Sequence, residues 1–246
     1  MFKINKSTIE LIHGDCLDIM QTLPPNSVDL IAVDPPYGIS QNKWDIVIPF
    51  EPMWEGIKRV LKRNGTAVFT TAQPYTSQLI MSNPSWFKYD LIWEKPIGSG
   101  QLNISVQPLR VHETLVVFYN HFNVYNEQKT PGDPYVISRK TNKFEGNYGK
   151  QRDNVKNNTG YRHARSIIKI SNPRRKGGHR TEKPVALMEY IIKTYSNEKD
   201  VVLDFSMGRG TTGISAINLN RNFIGIEKDI DWFLKAEERI KNYDRP

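Results

Sequence analysis

The stretch from residue 201 to residue 227 constrains the fold of this chain most. The apolar run Val201–Asp204 leads into the glycine-rich sequence Phe-Ser-Met-Gly-Arg-Gly-Thr-Thr-Gly; a helical pattern follows through Leu219, and a second apolar run ends at Glu227. This order of elements is the nucleotide-site layout of a doubly wound sheet: a strand, a glycine turn, a helix and a strand that ends in an acid. In such a site the glycines let the backbone approach the ligand, and the acid binds ribose hydroxyls. A lone Gly-x-Gly is weak evidence for a nucleotide site, so the prediction depends largely on the acid, Glu227. This order of elements predicts an α/β fold with a mainly parallel sheet.

A second informative segment, Asp34-Pro35-Pro36-Tyr37, follows the apolar run Val28–Val33. That run is short and rich in β-branched residues, which predicts a buried strand. Because the two prolines restrict the backbone, the acceptors at Asp34 and Pro35 are held rigidly beside an aromatic ring. Two fixed acceptors beside a flat ring suit a planar exocyclic amino group on a base stacked against Tyr37. Asp34, Pro35, Pro36 and Tyr37 are therefore the candidate catalytic residues.

The remaining periodicity places further strands and helices around these two turns. A helix is expected to end at Asn64-Gly65, a common C-terminal stop, and another helix carries Pro184 in its first turn. The predicted strands cover residues 9–12, 67–71, 89–94 and 114–119, the predicted helices cover residues 51–61, 184–195 and 230–240, and residues 38–49 form a loop over the site.

Length and composition bound the class of protein. A chain of 246 residues fits one α/β domain with an insertion. No apolar stretch reaches the roughly 18 residues of a membrane span, and the first ten residues lack the apolar segment of a signal peptide. The single cysteine, Cys16, suits a reducing compartment. We therefore expect a cytoplasmic protein that is not embedded in a membrane.

The positive charge of the chain is concentrated between residues 120 and 183. This segment holds 15 Lys and Arg against five Asp and Glu, whereas the rest of the chain has 19 against 21. Tyrosines and asparagines are interleaved with the cations, as a DNA-facing surface requires, although a charge run alone is as often a solvated face. The candidate DNA-binding residues are Arg139, Lys140, Lys143, Arg162, Arg165, Arg174, Arg175 and Lys176, together with Trp44 as a wedge, a lid or a packed aromatic of the 38–49 loop.

Taken together, these segments resemble a known family, the amino-methylating DNA methyltransferases of the permuted (β) order. In that family the Asp-Pro-Pro-Tyr segment precedes the loop that binds S-adenosylmethionine (SAM). The resemblance covers nearly the whole chain, and it is closest to a phage- and prophage-type branch that carries Lys43-Trp44-Asp45 after the catalytic turn. Its further motifs are His13-Gly14-Asp15-Cys16, Leu61-Lys62-Arg63-Asn64-Gly65, Trp93-Glu94-Lys95, Arg110-Val111-His112-Glu113 and His179-Arg180-Thr181-Glu182-Lys183-Pro184.

The resemblance implies a fold and a domain order. The fold is a doubly wound, Rossmann-like α/β fold of the SAM-dependent methyltransferases, with a circularly permuted motif order and a basic target-recognition insertion. Residues 1–119 would form the catalytic half of the methyltransferase domain, residues 120–178 the insertion, and residues 179–246 the SAM-binding half.

The resemblance also implies SAM as the cofactor and assigns residues to it. Glu227 would bind the ribose hydroxyls, and Asp15 the adenine amino group. The loop departs from the family pattern Asp-Pro-Phe-x-Gly-Ser-Gly-Thr, because Arg209 replaces the Ser and two other positions differ. The remaining candidate cofactor residues are Cys16, Thr181, Lys183, Asp204, Phe205, Ser206, Met207, Gly208, Gly210, Thr211 and Thr212.

The function implied is transfer of a methyl group from SAM to the N6 amino group of an adenine flipped out of duplex DNA. Cytosine-N4 methylation is the nearest alternative, but that branch usually has Ser where Asp34 stands. Protein-glutamine and RNA methyltransferases with an Asn-Pro-Pro-Tyr turn keep the SAM loop first, and methylation of a base carbon needs a cysteine nucleophile that Cys16 does not resemble. A DNA-binding module without catalysis is a further alternative.

The expected partners follow from the same resemblance. Double-stranded DNA is the substrate, while a homodimer and a cognate restriction endonuclease are allowed but not demonstrated by the sequence. No metal site is predicted, because the histidines show no metal-ligand spacing with a cysteine.

Overall fold

The computed structural model describes residues 1–121, 124–139, 154–171 and 182–244. The chain divides into two compact units, one formed by Met1–Asn126 with Ser166–Pro246 and the other by Glu127–Arg165. The predicted insertion, residues 120–178, extends past the smaller unit at both ends. The division into three functional segments stays a prediction.

The strands and helices of the described residues alternate over most of the chain. The strands are β1 (Phe2–Ile4), β2 (Ser7–His13), β3 (Val28–Val33), β4 (Leu61–Thr71), β5 (Phe87–Ser99), β6 (Arg110–Phe118), β7 (Thr130–Pro131), β8 (Tyr135–Arg139), β9 (Asn154–Asn158), β10 (Tyr161–Arg162), β11 (Ile167–Lys169), β12 (Val201–Asp204) and β13 (Asn222–Glu227). The helices are α1 (Cys16–Thr22), α2 (Phe50–Val60), α3 (Tyr75–Ser82), α4 (Val185–Tyr195), α5 (Thr211–Asn218) and α6 (Ile230–Lys241).

One mixed sheet organises the larger unit. Over the described residues its strand order is β1-β2-β13-β12-β3-β4-β6-β5-β11. The neighbours from β2 to β4 are parallel, whereas β6 runs antiparallel to both β4 and β5. The α/β class expected from the sequence is confirmed in this form, a mixed sheet with a parallel centre.

Apolar side chains cover both faces of the sheet. Along β3, Leu30 and Ala32 belong to a core cluster shared with α4, α5 and α6, while Ile31 and Val33 belong to a second cluster shared with α1, α2 and α3. All four side chains are fully buried. A central strand that is apolar on both sides needs a helical layer on each, which explains the doubly wound arrangement.

The structure corrects one helix end. The helix predicted over residues 51–61 ends at Val60, and β4 begins at the next residue, so Asn64-Gly65 lies within the strand. The pairing between β3 and β4 shifts register at this point. A Cβ on Gly65 would lie 2.7 Å from Leu61 Cγ and 3.0 Å from a main-chain oxygen of β3. The glycine therefore permits a close approach at a strand irregularity.

Asp29, the polar residue that interrupts the apolar run of β3, lies at the irregularity. Its carboxylate accepts hydrogen bonds from Lys62 Nζ at 2.7 and 2.8 Å and from the main-chain N–H of Val201 at 2.9 Å. The side chain therefore connects β3 with the residues of β4 at the bulge and with the start of β12.

The smaller unit contains two short antiparallel strand pairs, β8 with β9 and β7 with β10. Within it, the Arg162 guanidinium donates to Asn158 at 2.9 Å and lies 4.6 Å from the centroid of the Tyr135 ring. Arg162, expected from the sequence to contact DNA, is therefore part of the internal packing of this unit.

No helix in the described ranges combines the length and the apolar character needed to cross a bilayer.

Candidate active site

The two turns singled out in the sequence lie side by side. Strands β3 and β12 are parallel neighbours, with Val202 opposite Leu30 and Leu203 opposite Ile31. The carboxyl ends of both strands therefore meet at one edge of the sheet, where α/β folds place their ligand sites. The hydroxyl of Ser206 donates to the main-chain oxygen of Asp34 at 3.2 Å, which joins the turns directly.

Both turns open into one cleft of about 850 Å³. Its lining includes Asp15, Glu227 and Trp232 as well as Asp34 and Lys95. Much of the 38–49 loop also lines the cleft, as the sequence predicts. A cleft of this size and composition is typical of a small-molecule or cofactor site.

The Asp34 carboxylate accepts three hydrogen bonds. Oδ1 receives the Tyr37 hydroxyl at 2.6 Å and also the hydroxyl of Thr70, while the Lys183 ammonium donates to Oδ2 at 2.9 Å. A carboxylate oxygen has two lone pairs, so Oδ1 is saturated and Oδ2 can accept one further donor. Thr70 was not identified from the sequence; its position near the end of β4, the strand next to β3, is the signal that would have found it.

Lys183 lies in a buried ion network against the Asp34–Tyr37 turn. Its ammonium is 3.1 Å from Glu113, which in turn lies 3.2 Å from Lys95. Burial acts to lower the pKa of Lys183, but the carboxylates of Asp34 and Glu113 outweigh burial and hold that pKa well above its usual value. The pKa of Glu113 is lowered, because Lys183 and Lys95 outweigh the opposing effect of burial. The sequence assigned Lys183 to the cofactor, whereas its contacts are with Asp34 and Glu113.

The Tyr37 ring is held by more than its hydroxyl. It stacks on Tyr75 with ring centroids 5.4 Å apart, and Lys183 Nζ lies 5.5 Å from its centroid. Burial and the nearby Asp34 charge raise the pKa of Tyr37 well above its usual value, so the phenol stays protonated and donates. Stacking of a base on Tyr37 stays a prediction.

Asp45 fixes the start of the 38–49 loop. Its Oδ1 accepts from the main-chain N–H groups of Tyr37 at 2.7 Å and Gly38 at 2.8 Å, and its Oδ2 accepts from Ile39 at 3.0 Å and Ser40 at 2.7 Å. Burial acts to raise the pKa of Asp45, but these hydrogen bonds to the ionised carboxylate produce a net lowering. The side chain, known from the sequence only as part of Lys43-Trp44-Asp45, organises four consecutive residues.

The glycine turn after β12 presents backbone to the cleft. Gly208 and Gly210 have φ values of +51° and +75°, the left-handed region that favours glycine. The Gly208 N–H donates to Glu227 Oε2 at 2.9 Å, and the Asp229 N–H donates to Glu227 Oε1 at 2.9 Å. Glu227 is thus oriented at the end of β13, with its carboxylate lining the cleft.

Asp204 is a buried acid at the end of β12. Its carboxyl accepts from the Thr212 hydroxyl at 2.6 Å and from the Ser206 N–H at 3.1 Å. Burial outweighs both hydrogen bonds and raises the pKa of Asp204 to about 7. A carboxyl with this environment becomes fully ionised when a cation or a set of donors binds nearby.

Asp15 and Cys16 line the cleft at the start of α1. Asp15 caps the helix by accepting from the Leu17 N–H at 2.9 Å, and it pairs with Lys228 at 2.9 Å. The hydrogen bond from Lys228 is the main reason that the pKa of Asp15 is lowered, while burial opposes it. Burial raises the pKa of the Cys16 thiol to about 12, so the thiol is an inert packed group.

Glu182 lies close to Arg209, the residue at which the glycine turn departs from the family pattern. Its carboxylate accepts from the Thr211 hydroxyl at 2.7 Å and from Arg239 at 2.6 Å, and it lies 3.6 Å from the Arg209 guanidinium. Arg239 also donates to the Arg209 main-chain oxygen at 3.1 Å. Arg209 therefore belongs to a charged cluster that connects the glycine turn, α6 and the segment before α4.

The structure brings most of the predicted site residues together. Phe205 is almost fully buried, with its ring edge-on to Phe69 at a centroid distance of 6.2 Å, while Trp44 is 43% exposed at the cleft. The predicted residues that line the cleft are Asp15, Cys16, Asp34, Pro35, Pro36, Tyr37, Trp44, Lys183, Asp204, Phe205, Ser206, Met207, Gly208, Thr211, Thr212 and Glu227. Arg165 is exposed in the smaller unit, and Thr181, Lys140, Lys143, Arg174, Arg175, Lys176 and the side chain of Arg139 lie outside what the structure describes.

The residues of the glycine-turn side fit SAM. A Cβ at Gly208 would meet no atom within 4 Å, so the turn leaves room for a ligand against its backbone. The carboxyl groups of Asp15, Asp204 and Glu227 are among the acids that line the cleft, as suits a cationic ligand with an amino group and ribose hydroxyls.

The comparisons with known proteins agree with this geometry. The N6_N4_Mtase family, described as DNA methylase, matches residues 28–238. Type II methyltransferase M1.MboII of Moraxella bovis is 29% identical over 96% of this chain and 96% of its own length. The DNA adenine methyltransferase YhdJ of Escherichia coli (strain K12) is 29% identical over 94% of this chain and 82% of its own length.

Solved structures share the fold. The M1.HpyAVI–SAM complex is 26% identical with a TM-score of 0.66, covering 96% of this chain and 100% of that chain. The cytosine-N4-specific PvuII DNA methyltransferase reaches a TM-score of 0.68 at 17% identity, over 97% of this chain and 87% of that chain, which is a likeness of fold alone.

Proposed function

Because this chain belongs to the N6_N4 DNA methylase family, we propose that it transfers the methyl group of SAM to the N6 amino group of an adenine flipped out of duplex DNA. The single observation that carries this proposal is the contact between Ser206 and Asp34 at 3.2 Å, across 172 residues of sequence. The contact joins the Asp34–Tyr37 turn to the glycine turn, which supports a target amino group and a cofactor that meet at this edge of the sheet.

The chemistry of an exocyclic amino group explains the arrangement around Asp34. The nitrogen lone pair is delocalised into the ring, so the group is a poor nucleophile until its hydrogens are accepted in a fixed geometry. We assign one hydrogen to Asp34 Oδ2, the oxygen with a lone pair to spare, and the other to the main-chain oxygen of Pro35. Catalysis then rests on orientation and on preorganised charge.

SAM supplies an electrophilic methyl group on a positively charged sulfonium. On the cofactor side we assign Glu227 to the ribose hydroxyls, Asp15 to the adenine amino group, and Asp204 with the glycine turn to the methionine part. Lys183 keeps an ammonium against Asp34 and Glu113, so we reassign it from the cofactor to the substrate side of the cleft. The methylated amino group is acidic enough to lose its extra proton without a strong base.

Adenine is favoured over cytosine as the target. The first argument is the resemblance, because the cytosine-N4 branch usually has Ser where Asp34 stands. The second is that one relative is named as a DNA adenine methyltransferase. We also assign the chain to the permuted order, since the Asp34–Tyr37 turn precedes the glycine turn, and to the phage- and prophage-type branch, since Lys43-Trp44-Asp45 follows the Asp34–Tyr37 turn. Four further points stay predictions: the basic segment 120–178 as the target-recognition surface, a homodimer, a cognate restriction endonuclease and a cytoplasmic location.

The test uses tritiated SAM and unmethylated bacterial genomic DNA, with the methylated nucleoside identified by mass spectrometry. We expect N6-methyladenine from the unmodified protein and a loss of at least about 10²–10³-fold in rate for Asp34→Ala, which removes the acceptor but leaves the glycine turn intact. SAM binding by calorimetry should be retained.

Asp90→Ala, a change at an exposed acid on β5, is the matched control and should behave like the unmodified protein. Methyl transfer by Asp34→Ala at the control rate would contradict the role of Asp34. N4-methylcytosine as the product would replace the adenine assignment.

A further inference from the structure

An exposed apolar hairpin end extends from the rim of the cleft. Strands β5 and β6 form a hairpin whose connecting segment, residues 100–109, carries Leu102, Ile104 and Val106 with 98%, 66% and 81% of each residue exposed. We call this segment the hairpin tip. Aliphatic side chains so fully exposed and so close in sequence mark a surface that another molecule covers.

The hairpin tip has a defined conformation. The N–H of Asn103 donates to the Gly100 oxygen at 2.9 Å, and the N–H groups of Val106 and Gln107 donate to the Asn103 oxygen at 3.0 Å each. The Gln101 side chain donates to the Gly98 oxygen at 2.7 Å. The aliphatic side chains are therefore displayed by a folded turn, which lowers the entropic cost of using them as a contact surface.

The base of the hairpin belongs to the active-site cleft. Lys95 and Ser99 of β5 and Arg110 of β6 line the same cleft as Asp34. A nucleotide that enters the cleft brings its duplex to this rim. Whatever covers the hairpin tip must therefore share the rim with the substrate.

The chemistry of the segment matches DNA better than it matches another face of this protein. Residues 96–112 contain the exposed Arg110 and His112 but no Asp or Glu, and three amide side chains, Gln101, Asn103 and Gln107, alternate with the aliphatic ones. Cations suit phosphates, amides read base edges, and aliphatic side chains insert where a base step is opened.

We propose that the hairpin tip is a second DNA-contacting element, whose aliphatic side chains pack into the duplex beside the extruded nucleotide. This inference rests on the proposed function. The hairpin tip would contribute to DNA affinity by apolar packing, whereas the basic segment 120–178 would contribute by neutralising phosphates.

The experiment compares the unmodified protein with a variant that carries Leu102→Ser, Ile104→Ser and Val106→Ser, using sheared unmethylated genomic DNA and tritiated SAM. We expect the KM for DNA to rise about tenfold, as the removal of a small apolar cluster from an interface does. The dissociation constant for SAM should not change. The slope of log affinity against log salt should also not change, because no cation is removed.

Met81→Ser, at a 72% exposed side chain on α3, is the matched control for loss of an exposed aliphatic group. Leu102→Ser alone is the second variant, used if the triple change lowers the melting temperature. A KM for DNA equal to that of the Met81→Ser control would overturn the proposal.

Two further outcomes are decisive. Light scattering compares the molar masses of the unmodified protein and the triple variant without DNA. A difference between them would make the hairpin tip an interface between copies of this chain and would overturn the proposal. Failure of the unmodified protein to methylate any DNA would instead refute the proposed function, so the two failures are distinguishable.

Discussion

At the scale of single residues, the sequence located the acids at the strand ends better than it located the side chains that contact them. Asp34 and Glu227 stand at strand ends in recognisable motifs, so their positions at the cleft could be predicted. The contact of Lys183 with Asp34 could not, because it joins residues 149 positions apart and depends on how the segment before α4 crosses the sheet edge. Thr70 escaped notice for a related reason, since a threonine in an apolar strand carries no signal of its own.

The pKa of Asp204 leads to a prediction about stability. Because its pKa in the folded protein is about 7, above its ordinary value of 3.8, the folded state holds a proton that the unfolded state releases. Its contribution to stability is fully present below about pH 4 and is lost as the pH rises through 7, by about 1.4 kcal/mol for each unit of pKa difference.

We expect Asp204→Asn to remove this dependence, so the free energy of unfolding of the SAM-free variant should rise relative to the unmodified protein between pH 5 and pH 8. Urea unfolding at several pH values measures the difference. A difference that stays constant across this range would show that Asp204 is already ionised in the folded state.

At the scale of elements, the hydrophobic patterns located the central strands to within a few residues. Strand β3 was predicted with its observed bounds, because its apolar run is flanked by a turn on each side. The end of α2 was misplaced because Asn-Gly is also suited to a bulge, and the choice between the two depends on Asp29 in a different strand. Helices α1 and α3 were missed because they are only seven and eight residues long. The N-cap of α1, Asp15, was interpreted as a cofactor residue and not as a helix start.

The 38–49 loop yields a prediction at this scale. Asp45→Ala removes the acceptor of four main-chain N–H groups, and each hydrogen bond to a charged group is worth about 1.5–3 kcal/mol. We expect kcat/KM for DNA to fall by about two orders of magnitude or more, because the Tyr37 backbone loses its anchor.

Hydrogen exchange provides the direct measurement. The amides of Tyr37, Gly38, Ile39 and Ser40 should exchange faster in Asp45→Ala, while the amides of β3 keep their protection. Asp45→Asn, which retains one acceptor oxygen, should be intermediate. Unchanged exchange at these four amides would mean that the loop is held by other contacts.

At the scale of the whole molecule, charge and fold were predictable for different reasons. The alternation of strands and helices indicates a sheet that helices cover on both faces. Family membership explains why this architecture could be expected from motifs alone. Strand pairing at the antiparallel edge, where β6 separates β4 from β5, could not be predicted, since periodicity does not specify partners. The basic segment is visible in composition, and its role as a DNA surface stays a prediction.

The basic segment nevertheless leads to a quantitative prediction. Arg174→Glu with Arg175→Glu should weaken binding to DNA of many sequences and make the salt dependence shallower, by about 0.9 in the slope for each phosphate that the protein no longer neutralises. Lys3→Glu with Lys6→Glu, the same charge change at the exposed β1 edge, is the matched control. Titrations by fluorescence anisotropy at several salt concentrations measure the slope, and equal slopes for the two double variants would remove this segment from the DNA surface.

The hydrogen bond from the Ser206 hydroxyl to the Asp34 carbonyl has a thermodynamic consequence. It ties the Asp34 turn, which we assign to the target base, to the glycine turn, which we assign to SAM. If the proposed function holds, we expect occupancy of one turn to alter the affinity of the other for its ligand, by a factor that is the same in both directions.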